Sequence, residues 1–178
     1  MVTLDSLTWL PGRQAFEQRL AEAMDRLRPR GALAVMAMDV DHMHAVNGML
    51  GRDLGDRVLR EAAARMARAL GPGVPLARLQ EDDFAALAVV ADRAAAAKLA
   101  NAVVEACRAP YVVACVSVSA TVSIGLALWP ADAPSLGELL LRAEEAVQSA
   151  KLLGGSRSFP LGPTCCDDTA PPPRTARA

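Results

Sequence analysis

A chain of 178 residues with 52% hydrophobic and 22% charged residues is long enough for one domain with a real core and too apolar for a disordered protein. Aromatics at 3% and a net charge of -1 argue against base stacking on a basic groove, so nucleic acid is not an expected partner. No apolar run approaches the ~20 residues of a membrane helix, and the N-terminus lacks a signal-peptide pattern. The four cysteines (Cys107, Cys115, Cys165 and Cys166) lack C-x-x-C spacing, so the expectation is a cytoplasmic protein with reduced thiols, no zinc and no membrane contact.

Pro11-Gly12-Arg13 opens a helical pattern in which Phe16, Leu20, Ala23, Met24 and Leu27 recur, and Pro29 stops it. Residues 32–38 are apolar on both alternating faces, which predicts a central strand covered on two sides and ending in Asp39-Val40-Asp41. A short segment, 42–50, carries Asn47-Gly48. Residues 53–70 then repeat Leu54, Val58, Leu59, Ala62, Met66 and Ala69 as an amphipathic helix, which Gly71-Pro72-Gly73 breaks.

Strand-like runs at 76–79 and 84–90, separated by Gln80-Glu81-Asp82-Asp83, predict a hairpin. An alanine-rich helix over 92–108 follows, then a second strand pair, 111–116 with 121–128. Ser135 and Glu138 fit a capping box at the start of the last helix; its buried stripe is Leu136, Leu140, Ala143 and Val147, and Gly154-Gly155 ends it. The Pro-, Thr- and Arg-rich residues 160–178 predict a disordered tail behind a folded domain of residues 1–159. This order predicts an α+β fold, an α/β sandwich of one mixed, mostly antiparallel sheet with helices packed on it.

Asp39 lies where a buried strand emerges, and Asp82 and Asp83 at a hairpin tip. If the two strands are neighbours, these carboxylates converge as hard oxygen ligands suited to Mg²⁺. Taken alone the signal is weak, because aspartates are common at turns and strand ends for local hydrogen bonds. Asn47-Gly48 reads equally as a turn, Asp56 as a first-turn helix residue, and Lys151 as a last-turn lysine offsetting the dipole.

Six ordered blocks across residues 5–157 resemble the GGDEF family of diguanylate cyclases. Leu7-Thr8-Trp9-Leu10-Pro11-Gly12-Arg13 resembles L-T-G-L-P-N-R, and 39–47 resembles D-x-D-x-F-K-x-x-N. Residues 51–60 resemble G-H-x-x-G-D-x-x-L-R, and Arg78 to Phe84 occupies the place of R-x-G-G-D-E-F. Val122-Ser123-Ile124-Gly125 and Ala143-Glu144-Glu145-Ala146 with Ala150-Lys151 resemble the remaining blocks.

The resemblance implies a palm like that of adenylyl cyclases. It implies GTP as ligand with Mg²⁺, and pairing with a second copy or another GGDEF protein. Asp39 and Asp82 match metal-binding positions. Asp82 and Asp83 fall in the catalytic signature. Asn47 and Asp56 match the pair that reads guanine, and Lys151 matches a phosphate-contacting lysine.

The chain also departs from the pattern. Gln80 and Glu81 replace both signature glycines, where positive φ is expected; a side chain there costs ~1–2 kcal/mol per residue. At ~6 Å and an effective dielectric of ~20, Glu81 repels a phosphate charge by roughly 3 kcal/mol. Asp83 is one methylene shorter than the usual glutamate. His44 replaces a phosphate-side lysine, Gly155 an arginine, Arg52 a histidine, Gly48 an aspartate and Trp9 a glycine. Gly71-Pro72-Gly73-Val74 stands where the R-x-x-D product-inhibition site would lie, so that site is not expected.

These departures favour a degenerate GGDEF domain, a GTP-binding or regulatory and interaction module with weak or absent cyclase activity. The alternative is an active diguanylate cyclase condensing two GTP into cyclic-di-GMP. A third reading is an inert palm that serves only to dimerise. No sensor segment precedes the first motif in this sequence, so control is expected from a partner or from a region outside it.

Overall fold

The structure, a computed structural model, describes residues 3–27 and 32–160; Pro29, Cys165, Cys166 and the predicted tail beyond residue 160 lie outside them. Helix α1 (Arg13–Leu27) leads to strand β1 (Ala32–Val40), then to helices α2 (Met43–Leu50) and α3 (Arg52–Leu70). The hairpin β2 (Leu76–Gln80) and β3 (Asp83–Val90) precedes α4 (Arg93–Arg108). Short strands β4 (Tyr111–Val113) and β5 (Val116–Val118) follow, then β6 (Val122–Trp129), α5 (Leu136–Leu152) and β7 (Ser158–Pro160).

The main sheet has the order β2-β3-β1-β6-β7. All its pairings are antiparallel except β6 with β7. This is the expected α+β architecture. Strand β1 lies in the middle, buried along nearly its whole length, as a run apolar on both faces requires. On one face Ala34, Met36, Met38 and Val40 pack with Val58, Ala62 and Met66 of α3 and Ala96, Ala100 and Val103 of α4. On the other, Leu33, Val35 and Ala37 pack with Phe16 and Leu20 of α1 and Leu139, Ala143 and Val147 of α5. The alternation of side chains along a strand therefore directs Asp39, two residues beyond Ala37, to the face that carries α5.

Helix starts follow the capping residues. Asp92 accepts from the backbone N–H of Ala95 at 2.7 Å, and Ser135 Oγ from that of Glu138 at 3.4 Å. Gly71 ends α3 at φ 80° and ψ 171°, a backbone region that glycine tolerates best. At Gly125 of β6 an added Cβ would lie 2.0 Å from the Ala143 carbonyl oxygen. Only glycine lets α5 sit this close to the sheet, and α5 delivers Lys151.

Three expectations need correction. The second strand pair is not 111–116 with 121–128. Instead β4 pairs with β5 in a separate two-stranded sheet, and β6 lies beside β1. The turn between β4 and β5 is Ala114-Cys115, both at positive φ, so it lacks the Gly or Asn that would reveal it in sequence. Asn47-Gly48 is no turn but the second half of helix α2. Asp56 belongs to the second turn of α3, where its carboxylate is half-buried; the first-turn acid is Asp53.

Candidate functional site

The acidic edge arises from strand register. Asp39 at the end of β1 is paired across the ladder with Asp83 at the start of β3. The two-residue turn Glu81-Asp82 closes the hairpin, and the Asp82 carbonyl accepts from the Val40 backbone N–H at 3.2 Å. One carboxylate oxygen from each of Asp39, Asp82 and Asp83 lies within 4.8 Å of the others. Among the described residues, Asp39 Oδ1 is the buried side-chain oxygen without a hydrogen-bond partner. Its other oxygen, Oδ2, accepts from Lys151 Nζ at 2.5 Å.

Burial lifts the Asp39 carboxyl to about 6, against the pull of the Lys151 ammonium and with a further rise from Asp82 and Asp83. Burial, and then the charge of Asp82, also push Asp83 above its ordinary value. Carboxylates so crowded gain from a shared cation, and this donor set fits Mg²⁺, which takes one or two carboxylates and leaves its other positions to water or phosphate.

Beside this edge opens a polar cleft of about 610 Å³ between α2, α3 and the hairpin turn. Asn47, Asp56 and Asp82 line it with His44, Arg52 and Glu81. Asn47 reaches it across Gly55, where an added Cβ would lie 1.8 Å from Asn47 Oδ1. Asp39 and Lys151 stand on the α5 side, and Asp82 in the turn belongs to both regions. The six residues singled out from the sequence thus gather around one end of the sheet.

Positive φ is found at Glu81, at 29°, but not at Gln80, which ends β2 with Asp83 opposite. The expected strain at both replaced glycines therefore applies to one. The turn is clamped from below: Arg78 Nε donates to the Glu81 carbonyl at 2.8 Å and Arg78 Nη1 to Asp5 Oδ1 at 2.9 Å. Asp5 also accepts from the backbone and hydroxyl of Thr8. Trp9, at the place of a family glycine, likewise keeps a left-handed backbone at φ 59°, its side chain exposed.

Asp41 is a structural participant that sequence reading passed over. Buried, it accepts from Thr121 Oγ1 at 2.6 Å, Ser123 Oγ at 2.7 Å and the Ser156 backbone N–H at 3.2 Å. It fastens the loop after α5 to the sheet and so places the helix end that bears Lys151. Its place two residues after Asp39, just past the end of β1, was the available signal, but the hydroxyl partners lie about 80 residues away.

A mixed, mostly antiparallel sheet flanked by helices, with carboxylates at one end beside an open polar cleft, defines the class as an α+β domain. The family described as "Diguanylate cyclase, GGDEF domain" matches residues 2–157, and the chain belongs to this family. It is 39% identical over 150 residues to the diguanylate cyclase TpbB of Pseudomonas aeruginosa, covering 83% of this chain and 34% of TpbB. It is 36% identical over 148 residues to MucR of the same organism, a bifunctional diguanylate cyclase/cyclic di-GMP phosphodiesterase, covering 83% of this chain and 22% of MucR. The solved GGDEF domain of TpbB superposes with a TM-score of 0.86 at 35% identity, covering 89% of this chain and 94% of that one. The chain thus spans about a third of TpbB and about a fifth of MucR. Among the described residues, no helix is long and apolar enough to cross a membrane.

Proposed function

We propose that residues 1–159 form a GTP-binding GGDEF domain of cyclic-di-GMP signalling that acts as a regulatory or interaction module, with weak or absent cyclase activity. The observation that carries this reading is Glu81. It lines the same cleft as Asn47 and Asp56 and keeps the left-handed turn in which glycine would expose bare backbone to phosphates. Asn47 and Asp56 are suited to the guanine edge, offering one amide and one carboxylate. Mg²⁺ held by Asp39 and Asp82 would neutralise and orient the phosphates. Lys151 is ion-paired with Asp39 at this edge. With glycine at 155 and histidine at 44, fewer fixed positive charges face the triphosphate than in the family pattern.

Pairing with a second GGDEF domain would complete the arrangement, since the family reaction joins two nucleotides held by two domains. The second reading, an active diguanylate cyclase, is favoured by the acidic trio with its unpartnered Asp39 oxygen. Incubating purified protein with GTP and Mg²⁺ or Mn²⁺ and separating the products tests between them. The proposal expects GTP binding by calorimetry, lost in Asp39→Ala and Asn47→Ala, and at most trace cyclic-di-GMP. Product formation at an ordinary enzymatic rate rejects it in favour of the cyclase, and no GTP binding by the wild-type chain rejects both.

A further inference from the structure

We infer that Lys151 is the resident counter-ion of the acidic edge, displaced when a divalent cation binds, so that metal loading frees its ammonium to meet an incoming anion. Its use in nucleotide binding rests on the function proposed above; the displacement rests on geometry alone. The Lys151 Nζ lies 2.5 Å from Asp39 Oδ2, while Oδ1 of the same carboxylate has no partner and is buried. Asp82 and Asp83 crowd the same corner, so three carboxylates face one ammonium.

The pair is asymmetric. The Asp39 side chain is 9% exposed and fixed by its strand, whereas that of Lys151 is 37% exposed on a flexible stem at the end of α5. Only one partner is free to leave. A divalent cation on Asp39 would place a second, larger positive charge against the same carboxylate, and the two cations would repel at close range. The lysine has solvent beside it and yields.

The base of the lysine stays in place because Asp41 holds the loop that follows, at Ser156. The freed ammonium therefore remains beside the carboxylates, where a metal-borne anion would meet it. Before loading, the same ammonium is occupied by Asp39 and unavailable to phosphate. The arrangement favours an order: cation first, or cation and phosphate together, and metal-free nucleotide poorly.

The test uses the full chain without nucleotide, titrated with Mn²⁺ alone and read by electron paramagnetic resonance. Removing the competing ammonium in Lys151→Met should tighten Mn²⁺ roughly fivefold, about 1 kcal/mol, the upper end for one partly exposed ion pair. Lys151→Gln should behave alike, and Asp39→Asn should abolish binding. In parallel, the Lys151 side-chain ammonium, resolved by nitrogen-15 NMR in the metal-free protein, should lose its ion-paired signal at saturating Mg²⁺. Unchanged or weaker Mn²⁺ binding in both lysine variants, a signal indifferent to Mg²⁺, or no Mn²⁺ binding by any variant would overturn the inference. Failure to bind GTP with the Mn²⁺ result intact would reject the nucleotide reading and leave the displacement standing.

Discussion

The acidic edge and the polar cleft meet at Asp82 but are built by different means. Asp39 and Asp83 face each other because two central strands pair in one register, and a slip would disturb the whole core. Asn47 and Asp56 share a cleft because helices α2 and α3 pack closely at Gly55, where a single Cβ would strike Asn47. The edge is therefore robust and electrostatically tense, whereas the cleft depends on one missing methyl group. Substitutions should strain the first through charge and the second through shape.

The largest effect is expected where the edge is fastened to its surroundings. Asp41→Ala leaves two hydroxyls and a backbone N–H without their shared acceptor, and should cost about 3–4 kcal/mol in urea unfolding. Asp41→Asn, which keeps an acceptor oxygen, should lose less. Equal losses would show that the carboxylate does not anchor the loop.

Replacing Gln80 and Glu81 together by glycine removes the charge at the junction of the two regions. GTP affinity measured by calorimetry should rise about a hundredfold, about 2.7 kcal/mol. Because only Glu81 holds positive φ, the single change Glu81→Gly should supply most of that gain. No gain from either would mean that the cleft, not the turn, limits binding.

The tension of the edge has a pH signature. The Asp39 carboxyl, raised to about 6 in the fold, binds protons more readily than in the unfolded chain, with its ordinary value near 3.8. Between these values the native state holds the extra proton, so this group's contribution to stability falls as pH rises towards 6 and stays low above it. Asp39→Asn should therefore stabilise the metal-free protein by about 2 kcal/mol at pH 7.5 and by little at pH 4. A stabilisation independent of pH would point to packing instead.

The smallest effect probes the cleft. Gly55→Ala should push the Asn47 amide aside and weaken GTP about tenfold, the scale of one hydrogen bond lost to a polar ligand. Mn²⁺ binding at the acidic edge should be untouched. Parallel losses of both would show that the two regions form one mechanical unit.

Much of this was legible in the order of residues. The doubly apolar run of β1, the periodicity of the long helices, the capping residue Ser135 and the hairpin around Glu81 are local patterns, and local patterns survive folding. The family motifs likewise named Asp39, Asn47, Asp56, Asp82, Asp83 and Lys151, and these lie around one end of the sheet. Tertiary structure alone decided that β6, rather than β4, joins the main sheet, because the Ala114-Cys115 turn carries no residue that advertises it. It also decided that Gln80 is unstrained while Glu81 is not, and that Lys151 lies against Asp39. Backbone sign at a turn and the partner of a charge depend on neighbours distant in the chain, here 112 residues apart for Lys151 and Asp39, and no local pattern encodes such distances.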